Sequence, residues 1–248
     1  GREAWYREGL GTVKQVTTDY HELLSNPEVE AVYCAVPHNL HEQMYIDIIK
    51  AGKHLMAEKP FGIDLKANEA ILKTVHEHPE VFVRCCSQYY FAPGMQRICQ
   101  MIENDAFGRI IEVDVELLHS SDLNPDKPIN WKRMVEFNGE YGVMGDLAMH
   151  ICFVPFRAGW LPRDVRAVLS NLMPERPDGT GAKVACETWD NATLLCESED
   201  ERGDRFPFLV KTQRISPGER NSWNFAIKGM KGCARFTTRD INQIEVLE

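Results

Sequence analysis

Two short stretches carry side chains whose types and spacing suit acid–base chemistry. The first is Ala51-Gly52-Lys53-His54-Leu55-Met56-Ala57-Glu58-Lys59-Pro60, which reads as a helix end, a short apolar strand and a Glu-Lys-Pro triplet where the strand stops. Ligands of open parallel sheets bind at such carboxyl ends, so Lys59 is a candidate for chemistry. The second is Gly145-Asp146-Leu147-Ala148-Met149-His150, where a carboxylate and an imidazole four residues apart share one helical face. Histidine is the side chain closest to accepting a proton near neutral pH, and a lysine ammonium supplies fixed donors. Each stretch alone has a plainer reading, a surface pair and an ordinary loop. The expectation that Lys59, Asp146 and His150 meet in one cleft depends on what positions them.

Residues 29–36 form a nearly continuous apolar run between Pro27 and Pro37, the pattern of a buried strand. Pro37-His38-Asn39-Leu40-His41 follows, placing His38 and His41 at a strand-to-helix turn, where their plainer role is surface or capping. Asn39 and Glu42 have capping-box spacing, Leu40, Met44 and Ile48 recur at helical spacing, and Gly52 stops that helix. Asp64 can cap a helix burying Ala67, Ile71 and Val75, and residues 81–86 are again strand-like. Such alternation predicts a parallel sheet. The pattern changes near residue 88. Met95, Ile98 and Ile102 stripe a helix after Pro93, and residues 111–117 alternate strictly, as in a strand with one wet face. Residues 123–138 read as a polar loop carrying Asn130-Trp131-Lys132. The Asp146–His150 helix buries Leu147, Ile151, Val154 and Ala158, with a kink at Pro155. Strands are expected at 165–169, 192–196, 208–212, 223–228, 233–237 and 244–247, and polar loops at 176–183 and 198–205. Nearer the start, residues 3–26 read as mostly helical with a possible strand at 13–17. Gly9-Leu10-Gly11 reads as a turn rather than a phosphate cradle, because Lys14 stands where a third glycine belongs.

With 28 Lys+Arg against 37 Asp+Glu in 248 residues, a formal charge of −9 argues against general affinity for nucleic acid or anionic membranes and favours a small-molecule partner. No apolar run reaches membrane-helix length and no signal-peptide pattern opens the chain, so the cytoplasm is the expected location. The eight cysteines lack the paired spacings of a zinc site or redox pair, so reduced, mostly buried thiols and no metal are expected.

Ala-Gly-Lys-His-(x)3-Glu-Lys-Pro at 51–60, Pro37-(x)3-His41, Asp146-(x)3-His150, Phe107-Gly108-Arg109-Ile110 and the hairpin at 227–232 occur in an order that resembles the glucose-fructose oxidoreductase and inositol dehydrogenase family, Gfo/Idh/MocA. The resemblance implies an α/β plus α+β fold, with a partial Rossmann parallel sheet at 1–88 followed at 89–248 by a domain with a large, predominantly antiparallel open sheet. That sheet's free face often mediates homo-oligomers. It implies hydride transfer between NAD or NADP and a hydroxyl carbon of a sugar, polyol or related compound. Lys59 would hold and polarise the reacting hydroxyl, His150 would accept its proton, and Asp146 would orient the substrate. Pro37, His38, His41, Glu58 and Lys59 would form the nicotinamide end of the cofactor site. Trp131 and Lys132 resemble a Trp-Arg pair beside the substrate.

The glycine-rich lead-in to the Asp-His helix appears here as Glu140-Tyr141-Gly142-Val143, and Ala148 stands where glycine is common, which bears on the substrate more than on the reaction. The chain reads as starting after the family's glycine-rich phosphate loop and the acidic residue that reads the ribose. NAD and NADP are therefore not distinguished, and tight binding of either is not expected of these 248 residues alone. Two further readings stay open: a cofactor-dependent glycosidase of the same family, and a non-catalytic binding or assembly module of the same fold.

Overall fold

A computed structural model describes residues 13–247. The helix expected from residue 3, as far as residue 12, and the Gly9-Leu10-Gly11 turn lie outside the described residues. Residues 13–17 form no strand; the first element among the described residues is helix α1 (Tyr20–Ser25), whose N-terminus Asp19 caps by accepting the His21 N–H at 3.0 Å.

Strands β1 (Ala31–Cys34), β2 (His54–Ala57) and β3 (Val83–Cys85) form a parallel sheet in that order. Helices α2 (His41–Lys50) and α3 (Leu65–Glu77) make the crossovers. Tyr45, Ile48 and Ile49 of α2 and Ile71 of α3 pack with Cys34 and Leu55 in one apolar cluster. Complete burial of each such side chain contributes about 1.5–3 kcal/mol. Asp64 caps α3 as its spacing predicts, accepting the Ala67 N–H at 2.8 Å. The capping box expected at Asn39 is absent. A short 3-10 turn, His38–Leu40, leads into α2, which starts at His41 without a side-chain cap.

The second sheet has seven strands in the order β12-β11-β10-β4-β9-β8-β5: β4 (Ile110–His119), β5 (Arg163–Ser170), β8 (Asn191–Glu199), β9 (Arg205–Gln213), β10 (Arg220–Gly229), β11 (Gly232–Thr237) and β12 (Asp240–Leu247). All neighbours are antiparallel except β4 and β9, which run parallel with Val113 opposite Phe208. One face carries Val113, Val115, Phe208, Val210, Phe225 and Ile227 in the main core, beneath helix α4 (Pro93–Glu103) and residues 143–154. The other face is polar at its centre, where Lys211 pairs with Glu116 at 2.8 Å.

Two parts depart from the expected pattern. The loop foreseen at 176–183 lies within a small hairpin of β6 (Glu175–Pro177) and β7 (Lys183–Ala185), and 123–138 contains a 3-10 turn, Trp131–Arg133, and helix α5 (Val135–Asn138). The Asp146–His150 segment is not one regular helix. A π-helical turn, Met144–Ala148, runs into α6 (Met149–Ile151), and the chain breaks at Cys152 before α7 (Phe153–Arg157). Pro155 has no N–H to give the Ile151 carbonyl, which accounts for that break. Extra-residue turns of this kind commonly occur at functional sites.

Candidate functional site

Lys59 emerges two residues beyond β2, in a loop whose backbone is held from α2. The fully buried His41 ring sets Nδ1 2.7 Å from the Pro60 carbonyl and Nε2 3.1 Å from that of Val36, and Tyr45 donates its hydroxyl to the Glu58 carbonyl at 3.0 Å. His41 stacks on Tyr45 with ring centroids 4.7 Å apart. These contacts correct the expectation for His41. With both nitrogens facing backbone carbonyls and no exposed surface, it positions the Lys59 loop and is not available to touch a cofactor.

Across the cleft, Gly139, at φ +82°, brings the chain so close to Ile63 that a Cβ there would sit 2.9 Å from the Ile63 carbonyl oxygen. Only glycine fits, and the approach sets the Asp146 turn against the Lys59 loop. Lys59 Nζ then donates to Asp146 Oδ1 at 2.6 Å and to the Asp146 carbonyl at 2.8 Å. Lys132 reaches the same carboxylate, at 3.1 Å from Oδ2 and 3.4 Å from Oδ1, and Arg214 donates to Oδ2 from the buried side. Asp146 is fully buried, the Arg214 side chain is 3% exposed, Lys59 12% and Lys132 36%. One carboxylate thus collects three cations, graded from the interior to the surface.

The Lys132 turn is built for its task. Asn130 Oδ1 accepts the Lys132 N–H at 3.0 Å, and Thr188 donates to the Lys132 carbonyl at 2.9 Å. Arg133 and Asp190, both fully buried, pair at 3.3 Å, and the Asp190 carbonyl accepts the Arg214 N–H at 2.9 Å. Asp190 thereby ties Arg133, the neighbour of Lys132 in the chain, to Arg214, one of the three cations that meet on Asp146. Trp131 packs edge-on against His38 at 4.8 Å, and Lys132 Nζ stands 5.4 Å from the Trp131 ring centroid.

Burial is the largest influence on Asp146 and pushes its pKa up, but Arg214, Lys59 and Lys132 together hold it well below the usual carboxylate range. Burial lowers His150 to about 3, helped by Lys59 and Lys132 and opposed by Asp146. It lowers His38 to about 3 as well, against the pull of Asp146, whose Oδ1 is 3.8 Å from Nε2. Both imidazoles are neutral at pH 7, and each leaves a buried Nδ1 without a partner. The Tyr89 ring meets His150 edge-on at 5.4 Å. Asp146 and His150 make no bond to each other, so the helical pair expected from their spacing is replaced by electrostatic proximity within one cluster. Cys85, beside the loop, is raised to about 12 by burial and is no nucleophile.

Pro37 is half-buried beyond the end of β1. Glu58 accepts the Tyr33 hydroxyl at 2.6 Å, which turns its carboxylate towards β1. The carboxyl ends of β1 and β2 therefore open on the charged cluster. A groove of about 900 Å³ leads away, walled by Phe61, Ile63, Tyr141, Phe153 and Trp189, and meets the cluster only through Lys59.

Sequence reading missed Arg214, yet the signal was present. Phe206, Phe208, Val210 and Thr212 alternate inward along β9, and Arg214 is the next inward position. A cation on a core face demands an acid, which is Asp146. Among the described residues no group of three or more His, Cys, Asp or Glu is placed to hold a metal ion, and no helix is long and apolar enough to cross a membrane.

A three-stranded parallel sheet and a seven-stranded mixed sheet thus bring lysine, carboxylate and imidazole into one cluster. The model of an oxidoreductase family with an NAD-binding Rossmann fold, Gfo/Idh/MocA, matches residues 7–84. Levoglucosan dehydrogenase of Pseudarthrobacter phenanthrenivorans is 26% identical over 240 residues, covering 93% of this chain and 61% of that protein. An uncharacterized oxidoreductase of Synechocystis is 34% identical over 216 residues, 85% of this chain and 55% of the relative. The chain thus spans less than two thirds of the length of either. A levoglucosan dehydrogenase structure with NADH and L-sorbose superposes with a TM-score of 0.88 at 25% identity, over 98% of this chain and 63% of that one. The match to the Gfo/Idh/MocA model is confined to residues 7–84, while the likeness to these relatives runs over most of the chain.

The neutral histidines predict a pH effect on stability. Between about pH 6.5 and 3 the folded chain keeps His38 and His150 neutral while the unfolded chain binds their protons, so acidification favours unfolding. Each contributes up to about 1.4 kcal/mol per pH unit below 6.5. Urea unfolding at pH 5, 6 and 7 should show this slope, and His38→Gln should flatten it by one histidine's share. A flat wild-type profile would show that neither ring is held neutral.

Proposed function

We propose that the protein is an NAD- or NADP-dependent oxidoreductase acting on a hydroxyl carbon of a sugar, polyol or related small molecule. The observation that carries this reading is the Lys59 ammonium, delivered from the end of a parallel strand, held on Asp146 and set beside a neutral His150. A bound nicotinamide cofactor would supply the hydride acceptor for the carbon that loses its hydroxyl proton. Pro37, Glu58 and Lys59, with His38, line the end of the site that would meet the nicotinamide. Lys59 has one N–H left after Asp146 takes two, enough to hold the reacting hydroxyl, and His150 takes its proton. Asp146 keeps Lys59 aimed, and Trp131 and Lys132 contact the substrate. The division at residue 88 separates the cofactor part from a substrate part, whose free sheet face joins copies of a cytoplasmic homo-oligomer.

Because His150 is lowered to about 3, kcat/KM for alcohol oxidation should lack the loss of activity below pH 6.5 that an ordinary histidine base gives. Initial rates of NADH or NADPH formation across pH 5–9 with a panel of polyols test both points. His150→Ala should lower kcat by about a hundredfold. No nicotinamide reduction with any hydroxyl compound in the panel, by protein shown to bind cofactor, would count against the reading.

A further inference from the structure

The charges at the site do not balance, and the imbalance lies on the accessible side. Arg214, 3% exposed, already supplies one positive charge to Asp146 from the interior. Lys59 and Lys132 are then in excess, and Lys132 is the more exposed of the two. Of the neighbouring acids, Asp122 pairs with Lys127 at 2.8 Å and Asp190 with Arg133 at 3.3 Å; Glu58 keeps its charge but is turned to the Tyr33 hydroxyl, and one negative charge against two surplus cations still leaves the cleft positive. His38 and His150 add no charge of either sign at pH 7. An oxidised nicotinamide would bring a further positive ring to the same cleft. A neutral polyol leaves this surplus unanswered, whereas one carboxylate answers much of it with charge-assisted hydrogen bonds.

The spacing suits one small molecule. Lys59 and Lys132 Nζ lie 2.6 and 3.4 Å from the same Asp146 oxygen, which leaves them at most about 6 Å apart. That is the separation of a hydroxyl and a carboxylate on one sugar-sized compound, the hydroxyl on Lys59 and the carboxylate on Lys132. Lys132 can spare donors, since its contacts to Asp146 are the longer pair, and Asn130 and Thr188 fix its backbone.

We propose that the preferred substrate is a sugar acid, a polyhydroxy compound bearing a carboxylate, and that Lys132 is the residue that selects it. This rests on the oxidoreductase reading and names the substrate class for that site. The reaction keeps its balance: one hydroxyl carbon loses hydride to the cofactor and a proton to His150, and the carboxylate is a handle that does not react.

The test uses the cofactor-loaded enzyme and matched pairs in which a carboxylate replaces a hydroxymethyl group, gluconate against sorbitol and methyl glucuronide against methyl glucoside. The ratio of kcat/KM for acid over neutral partner should be about ten to a hundred in the wild type, the scale of one charge-assisted hydrogen bond. It should fall towards one in Lys132→Gln, mainly through KM, and persist in Lys132→Arg. A wild-type ratio near one, or equal losses in kcat for both partners in Lys132→Gln, overturns the proposal and leaves Lys132 a general electrostatic role. Saturation-transfer NMR of gluconate on the enzyme with NADH separates the two readings. Lys132-dependent binding without turnover of any pair sinks the oxidoreductase reading alone, and turnover of the neutral partners only sinks the sugar-acid proposal alone.

Discussion

Lys59→Ala in the cofactor-loaded enzyme is expected to lower kcat by about a hundredfold or more while the fold survives. The two halves of that expectation come from different contacts. On the proposed function, turnover falls because the ammonium would be the donor to the reacting hydroxyl, and alanine would leave that hydroxyl without its polarising partner. The fold survives because Asp146 keeps Arg214 on the buried side and Lys132 on the other, so truncation leaves no bare carboxylate in the interior. The backbone of the loop is held independently by His41 and Tyr45. Lys59→Arg should restore little, since a planar fork with fixed donors does not reproduce a compact ammonium between a carbonyl and a carboxylate. Steady-state rates, cofactor affinity and melting temperature, measured together, decide the matter. Near-normal kcat with a lowered melting temperature would make Lys59 a structural ion-pair partner and nothing more.

Local chemistry made much of the architecture legible. The parallel sheet was readable because an apolar run, a helical stripe and a stop signal repeat in order, and the second sheet because 111–117 alternates with period two. Lys59 was readable because it stands where a parallel strand ends. The missed features depend on partners distant in sequence. Arg214 meets Asp146 across 68 positions, and neither residue's neighbours announce the other. The π-helical turn at Met144–Ala148 adjusts Asp146 towards cations from three separate segments, which no 3.6-residue pattern contains. A cofactor contact for His41 comes only from the family resemblance, whereas its burial is fixed by the Pro60 loop folding over it. The hairpin at β6 and β7 escaped because its residues are polar. What fixes it is Arg176, fully buried and donating to the carbonyls of Asp122, Asn124 and Lys127.

Asp146→Asn should be the most destabilising single change at the site, by about 3–5 kcal/mol, because it leaves buried cations without their counter-charge. An amide oxygen can accept from two of the three donors, and its NH2 group then points a donor at a cation. The charge lost is the one that makes burial of Arg214 tolerable, and among the described residues Arg214 has no other acid within ion-pair distance. The pH dependence follows from the same interaction. Asp146 is held well below its unfolded value, so its contribution is fully present above about pH 4 and fades only as pH falls through the depressed folded value. Wild type and Asp146→Asn should therefore differ by a constant amount from pH 8 to 5 and converge only in stronger acid. Urea unfolding should also show partial recovery when Lys132→Met is added to Asp146→Asn, since one uncompensated cation is then gone, and the pair should be non-additive by about 1 kcal/mol or more. Strict additivity would mean that Lys132 and Asp146 interact too weakly to matter, and the three-cation cluster would then reduce to a buried Arg214–Asp146 pair with Lys59 alone at its edge.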